Sequence, residues 1–277
     1  METVAIVGVG LIGGSFALAL RQAGFVGRII GVSSPRTIAK ALERGVIGEG
    51  LPLEEAVPRA DLVYLSQPIL SIIDVIPKLD GLVKTGCLVT DAGSTKAEIV
   101  AAARTALRRA QFLGGHPMAG KESRGVEVAE AGLFAGKTYV LTPEREADLD
   151  TPAAQEFIEW IKKIGVRLLV LSPEEHDRTV AFTSHLPQLV STALAATLSR
   201  QLPEGSCAAA GPGLAGMTRL AASPYEIWKE IIATNQAPIE DALGAYLEAL
   251  QAIKSQLSTS LEREFREAAE FRARWMG

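Results

Sequence analysis

Only two cysteines occur in the 277 residues, Cys87 and Cys207, far apart in the chain. Two thiols so separated make neither a metal-ligand spacing nor a disulfide framework, so a reducing cytoplasm is the expected compartment and no metal centre is expected. No run of about 18 apolar residues occurs, so no segment is expected to span a bilayer. A net charge of −4 leaves no surplus of one sign to recruit nucleic acid or an acidic membrane surface. Aromatic residues are 5% of the chain, and imidazole is scarce: His116, His176 and His185 are all there is. An apolar strand is read within a few residues of Met1, so no signal peptide is expected. Internal repeats and low-complexity segments are missing too. What remains, 48% hydrophobic and 22% charged, is the composition of a globular α/β chain long enough for two domains.

The most informative stretch is Val4–Leu20, VAIVGVGLIGGSFALAL. Val4-Ala5-Ile6-Val7 reads as a buried parallel strand, Gly8-Val9-Gly10-Leu11-Ile12-Gly13 as a tight turn, and Ser15–Gln22 as a helix. The three glycines serve separate purposes. Gly8 allows the turn, Gly10 lets a pyrophosphate approach the backbone, and Gly13 lets helix and strand pack closely. The helix N-terminus, including Leu11 and Ile12, then offers free N–H groups and a positive dipole end to phosphates. Strand, glycine turn and helix in this order predict dinucleotide binding.

Arg28–Val32 reads as the second strand and Thr37–Arg44 as the next helix. An acid at the end of that strand would bind the ribose 2′-hydroxyl of NAD, but Ser33-Ser34-Pro35-Arg36 stands there. Two hydroxyls and a guanidinium suit the 2′-phosphate of NADP, which favours NADP over NAD. The competing reading is a solvated turn before a helix. Asp61–Ser66 and Cys87–Asp91 are further strands around a helix Ile69–Leu79, and alternating strands and helices predict a doubly wound parallel sheet with its site at the strands' carboxyl ends. Gln67 and Pro68 follow one such end and should pass the cofactor.

Asp91-Ala92-Gly93-Ser94 follows another. Thr95 and Glu98 have capping-box spacing for a helix Lys96–Arg109, which frees Ser94 to face the cleft; alternatively Ser94 is the cap. Phe112–Gly115 is a short strand that delivers Gly114-Gly115-His116-Pro117-Met118-Ala119-Gly120. Pro117 disfavours helical geometry at His116, so the imidazole should sit in extended backbone among small residues, the best catalytic candidate in the chain. Gly132–Thr142 and Arg167–Val170 read as strands flanking the helix Ala153–Ile164.

At Ser172-Pro173-Glu174-Glu175 the composition changes to a helix start, with a serine cap, proline at the first position and glutamate at the third. From there on only helices are expected, which sets domains at 1–171 and 172–277. His176 and His185 are nine residues apart and so on opposite helical faces. His176, in a charged first turn, is expected to be solvated. His185 precedes Leu186-Pro187, where proline kinks a helix, and reads either as a site residue or as a buried histidine bonded to a carbonyl. Arg219 ends the flexible glycine segment Gly211–Thr218 and precedes an apolar stretch; it is an anion-binding candidate, with a structural ion pair as the rival reading. Trp228 reads as core or subunit interface. The closing helices, Pro238–Ile253 and Leu257–Trp275, have a packed face with a solvated back and are expected to support a homodimer.

The ordered set GVGLIGGS, TDAGSTK, GGHPMAG, FTSHLPQ and MTRLAAS resembles the prephenate/arogenate dehydrogenases of tyrosine biosynthesis, over nearly the whole chain. The resemblance implies a nucleotide-binding domain followed by an all-helical dimerisation domain. It also implies oxidation of a cyclohexadienol at C4 by NAD(P)+, with loss of the ring carboxylate as CO2. In that reaction His116 would take the C4 hydroxyl proton, Ser94 would hold that hydroxyl, Arg219 would bind a substrate carboxylate, and His185 would be a second active-site histidine. Lys121 and Trp228 join the substrate-binding candidates. Lys121 stands where relatives often carry a small residue, and either adds a cation for a carboxylate or points to solvent. Gly216 stands where relatives often carry an aspartate that suits the ammonium of arogenate, which favours prephenate. The chain ends soon after its helical region, so tyrosine inhibition is expected only at the active site. The rivals are a β-hydroxyacid or imine dehydrogenase, and a cofactor-sensing protein without turnover. The β-hydroxyacid enzymes use a lysine in the first long helix of the second domain, and 173–200 contains none.

Overall fold

Strand β1 (Thr3–Val7) alternates its side chains between two cores: Val4 and Ile6 join one buried cluster, Ala5 and Val7 the other. β4 (Leu62–Leu65) repeats the pattern, with Leu62 and Tyr64 in the first cluster and Val63 and Leu65 in the second. A strand covered on both faces must be apolar at every position, and its period of two then sorts residues between the layers. A computed structural model shows this sheet and describes residues 1–203 and 205–276, including every side chain but those of Cys207 and Met276.

The sheet has eight strands in the order β3-β2-β1-β4-β5-β6-β7-β8, the others being β2 (Arg28–Val32), β3 (Glu49–Gly50), β5 (Leu88–Asp91), β6 (Gln111–Pro117), β7 (Thr138–Thr142) and β8 (Arg167–Val170). The first six in sequence are mutually parallel. Phe16 and Leu20 of α1 (Leu11–Gln22) cover one face together with Phe157 and Ile161 of a later helix. Phe16 stacks on Tyr64 with centroids 4.0 Å apart. The helices α2 (Pro35–Glu43) and α3 (Leu53–Ala56) follow in the chain. α4 (Ile69–Leu79) and α5 (Ala97–Ala106) cover the opposite face through Ile72, Ile76 and Ile99. Strand order reverses between β1 and β4, which opens a crevice at their carboxyl ends.

The sheet is not parallel throughout. β7 runs antiparallel to β6, and β8 is parallel to β7. A parallel return needs a crossover of helix length, and between β6 and β7 there is only a 3-10 turn, Val126–Val128. The expected strand from Gly132 shortens to Thr138–Thr142 because Gly136, at φ +70°, turns the chain first. α2 starts two residues earlier than expected, since Ser34 accepts a hydrogen bond from Thr37 N and Pro35 opens the helix.

α6 (Pro152–Lys163) is followed by β8 and then only by helical elements among the described residues. These are α7 (Pro173–Val180), a π-turn Ala181–His185, α8 (Leu186–Gln201), α9 (Pro212–Thr218), α10 (Tyr225–Thr234), α11 (Gln236–Gln256) and α12 (Glu262–Met276), with 3-10 turns at Ser206–Ala209 and Arg219–Ala222. The predicted start at residue 172 is formed: Ser172 Oγ accepts from Glu175 N, and Glu175 Oε2 accepts from Ser172 N at 2.9 Å. Two compact units result, one of residues 1–179 with 222–235, the other of 180–221 with 236–277. α7 down to residue 179 and α10 therefore pack with the sheet; Ile231 of α10 joins the core behind α4. No described helix is long and apolar enough to cross a membrane.

Candidate active site

At the end of β1 the backbone reverses through Gly8, whose φ is +99°. A Cβ there would stand 2.7 Å from Ser66 C and 2.8 Å from Gln67 N. At Gly13 a Cβ would lie 2.4 Å from both Gly8 O and Ser66 Oγ, so only hydrogen allows α1 to sit this close to the turn. Gly10 differs: a Cβ on it would meet nothing within 4 Å. The turn is closed on the protein side and open on the solvent side, at a helix N-terminus that carries no acidic residue in its first turn. That is a cradle for a phosphate.

Two cavities meet over this turn, both within the sheet unit. One, of about 550 Å³, extends toward the end of β2 and is lined by Gly8–Gly10, Val32–Ser34, Thr37 and Gly125–Glu127. The other, of about 570 Å³, extends toward β5 and β6 and is lined by Leu11, Ile12, Ala92–Ser94, Ala119–Lys121 and part of α10. Gly10, Gln67 and Pro68 line both. Gln67 Oε1 is a buried acceptor without a hydrogen-bond partner. Open cradle, orphaned acceptor and elongated groove fit a dinucleotide with its phosphates at Gly10.

The catalytic candidates stand at the ends of β5 and β6. Asp91 closes β5, fully buried, and its carboxylate accepts from Gly93 N (2.8 Å), Gly115 N (3.1 Å) and Lys96 Nζ. Lys96, equally buried, also donates to Gly115 O at 2.8 Å. Burial holds its ammonium below the ordinary lysine value, against the opposing pull of Asp91 and Asp177. This buried pair fixes the backbone just before His116. His116 lies in extended backbone within β6, paired across to Val140 of β7.

His176 departs from expectation. It is not solvated but fully buried, its Nε2 2.8 Å from His116 Nδ1 and its Nδ1 2.8 Å from Asp177 Oδ1. Asp177 in turn accepts from Lys96 N (2.7 Å) and Ala97 N (2.8 Å), and Asn235 Nδ2 donates to its backbone carbonyl. A carboxylate only accepts, so His176 Nδ1 carries a proton; with both imidazoles neutral, its Nε2 accepts and His116 Nδ1 donates to it. The neutral His116 ring then has Nε2 as its acceptor nitrogen, a tautomer assigned from the network. Asp177 also settles the start of α5: neither Thr95 nor Ser94 caps it. Thr95 Oγ1 is bonded to Thr234 Oγ1 at 2.7 Å, and the free N–H groups go to the Asp177 carboxylate. Ser94 is half-buried and lines the second cavity.

Lys121 lines that cavity too, but its ammonium pairs with Glu130 at 2.7 Å. Ser33 and Ser34 line the β2-side cavity, and Arg36 is exposed on the first turn of α2. Trp228, half-buried on α10, donates to Ser223 Oγ at 3.0 Å and packs against the core behind α4. The remaining candidates belong to the helical unit. His185 is 2% exposed at the end of the π-turn, which precedes Pro187, a residue with no N–H to donate to the carbonyl of Thr183. Arg219 opens a short 3-10 turn, Arg219–Ala222, and is exposed. Among the described residues no cluster of His, Cys, Asp and Glu could hold a metal ion. Asp91, Lys96, Asp177 and the supposedly solvated His176 do not stand out as site residues in the sequence. A readable signal existed for the last two: with Val180 and Ala181 they occupy one helical stripe, and all four are buried.

Two family models match the chain: "Prephenate dehydrogenase, nucleotide-binding domain" over residues 16–170, and "Prephenate dehydrogenase, dimerization domain" over residues 172–271. A prephenate dehydrogenase of Bacillus subtilis is 32% identical, across 98% of this chain and 75% of its own length. Among solved structures, the prephenate dehydrogenase of Aquifex aeolicus, in complex with hydroxyphenyl propionate and NAD+, aligns with a TM-score of 0.89 and 33% identity, covering 100% of this chain and 98% of that one. An arogenate dehydrogenase of Synechocystis aligns with a TM-score of 0.85 and 29% identity, covering 99% of both chains.

Proposed function

The chain belongs to the prephenate dehydrogenase family of nicotinamide-dependent oxidoreductases, and we propose that His116 is the group that takes the proton of the substrate's C4 hydroxyl as hydride leaves C4. The observation that carries this reading is the chain of 2.8 Å hydrogen bonds from Asp177 through His176 to His116 Nδ1. It supports the neutral tautomer whose Nε2 accepts a proton, with a carboxylate at the far end of the chain to stabilise the imidazolium that forms. Asp177 and His176 are positioning residues; they act through His116. Ser94, on the rim of the second cavity, holds the same hydroxyl. The bound cofactor supplies the hydride acceptor.

Once C4 is oxidised, the bond to the ring carboxylate breaks. Its electron pair makes the ring aromatic and leaves a phenolate at C4, to which His116 returns its proton. Arg219 is the proposed partner of a substrate carboxylate, with His185, Lys121 and Trp228 as further substrate contacts. Prephenate is the proposed substrate, because Gly216 offers no acid for the ammonium of arogenate; kcat/KM with each compound decides between them. NADP+ is the proposed preference over NAD+, since Ser33, Ser34 and Arg36 stand at the β2 end with no acid on that strand. The relatives are biosynthetic enzymes, which supports a cytoplasmic location. Exposed Leu247, Leu250, Phe265 and Trp275 on α11 and α12 support a homodimer through the helical unit.

Replacing His116 by alanine tests the base assignment. We expect kcat to fall about 10²- to 10⁴-fold, the range of a lost general base, while titration with NADH shows cofactor affinity within twofold. Asp177→Asn should lower kcat by a smaller factor and leave KM nearly unmoved. Turnover near wild type in His116→Ala removes the assignment.

A further inference from the structure

The cavity at the end of β2 contains a charged group that the glycine motif and the strand end do not supply. Glu127 sits in the 3-10 turn Val126–Val128, on the wall facing Ser33, Ser34 and Thr37. The turn is tied to α2 by a basic stripe spaced four residues apart. Arg44 donates to Val126 O (2.7 Å) and Ala129 O (3.1 Å), and Lys40 pairs with the Glu127 carboxylate. Arg36, one helical turn before Lys40, exerts its positive field on the same carboxylate. Glu127 is thus an anion held by the cations that a 2′-phosphate would need, in the cavity where that phosphate would bind.

We propose that Glu127 sets the ratio of NAD to NADP use, by occupying Lys40 and opposing a second anion at the ribose edge of this cavity. The inference rests on the dinucleotide reading above and deepens it. Many doubly wound nucleotide-binding sheets carry their discriminating acid at the end of the second strand; here β2 ends in Val32 followed by Ser33, and an acid comes instead from the connection between β6 and β7. Arg36 and the two serines attract a 2′-phosphate, Glu127 counters them, and the balance between these groups fixes the preference. A purely structural Glu127, serving only to tie the turn to α2 through Lys40, predicts a different pattern of variants.

The test is titration of NADH and NADPH by their own fluorescence, with no substrate present, on wild type, Glu127→Gln and Lys40→Met; kcat/KM with each oxidised cofactor follows as a second readout. Glu127→Gln should raise the NADPH-to-NADH affinity ratio about tenfold, the effect of removing one partly screened charge contact. Lys40→Met should lower the ratio severalfold, because the phosphate loses a cation and Glu127 loses its partner. Opposite movements support the proposal. A ratio moved less than twofold by Glu127→Gln, or moved in the same direction by both variants as a broken tether would do, overturns it. A wild type that binds neither cofactor overturns the dinucleotide reading and this inference together; a wild type that binds with an unmoved ratio overturns this inference alone.

Discussion

Removing Lys96 is the sharpest probe of how the site is built. Its ammonium and the Asp91 carboxylate are both fully buried, and each also bonds the backbone of Gly115. Two desolvated charges in contact gain little over a well-packed apolar pair, but a single one left behind is costly. Breaking a buried pair by losing one partner costs about 3–5 kcal/mol. Lys96→Met should therefore destabilise the sheet unit by about 3–5 kcal/mol. That is a fall of roughly 6–20 °C in apparent melting temperature for a unit of this size. Asp91→Asn should cost a similar amount. In the double variant neither charge of the pair remains, and what is left is one backbone donor facing an amide that cannot accept from it and Gly115 O without its lysine donor, each worth about 1–3 kcal/mol. The expected double variant thus loses less than the sum of the two single ones. Urea unfolding followed by far-UV circular dichroism on all four proteins closes the cycle. A Lys96→Met protein within about 1 kcal/mol of wild type, or a double variant showing the summed loss, would refute the reasoning.

Two further predictions use the same geometry. Gly10→Ala should fold as wild type does but bind NADH at least tenfold more weakly, since its new methyl meets no protein atom within 4 Å and projects into the cradle; Gly13→Ala should lose stability as well, by about 1–3 kcal/mol, because its methyl meets Gly8 O at 2.4 Å. Equal melting temperatures for the two variants would contradict this. The second prediction concerns alkaline pH. Burial pushes the Tyr64 and Tyr139 hydroxyls above the ordinary tyrosine value. Their unfolded counterparts ionise near pH 10, so the stability they contribute is complete below about pH 10 and is lost as pH rises beyond it, each adding about 1.4 kcal/mol per pH unit to the slope. Tyr64→Phe and Tyr139→Phe should each flatten stability measured between pH 10 and 11.5, and an unchanged slope in both would count against the burial argument.

What could be read from the chain alone follows the range of the forces involved. β2, α4 and β8 have the bounds that local pattern predicts, Arg28–Val32, Ile69–Leu79 and Arg167–Val170, because period and breaker residues are carried within a few positions. The glycine turn is legible as a local order of strand, turn and helix, although Gly8 and Gly13 also answer to Ser66 and Gln67 just past β4, and Gly10 answers to no protein atom within 4 Å. His176 is the opposite case. Its sequence neighbours Glu174, Glu175 and Asp177 suggest a solvated turn, yet its partner His116 lies 60 positions away and the donors to the Asp177 carboxylate 80 or more. The stripe that His176 shares with Asp177, Val180 and Ala181 marks a covered face, but no window along the chain names what covers it.

The antiparallel β7 lies between these extremes, and it explains more of the site than any single residue does. The connection 118–137 holds a 3-10 turn and no α-helix to carry a parallel crossover, and β7 returns antiparallel to β6. A parallel return would have sent the chain across a face of the sheet. The antiparallel one keeps it at the carboxyl ends, where its residues Ala119–Lys121 line one cavity and Gly125–Glu127 the other. Tied down at Val126 and Ala129 by Arg44 and at the adjoining Glu130 by the bond from its N to Ser15 Oγ (3.0 Å), this segment forms a wall of both cavities without needing a helix of its own. Deleting the Arg44 tether should therefore disturb dinucleotide binding more than it disturbs the fold, since what it secures is a cavity wall and not the core.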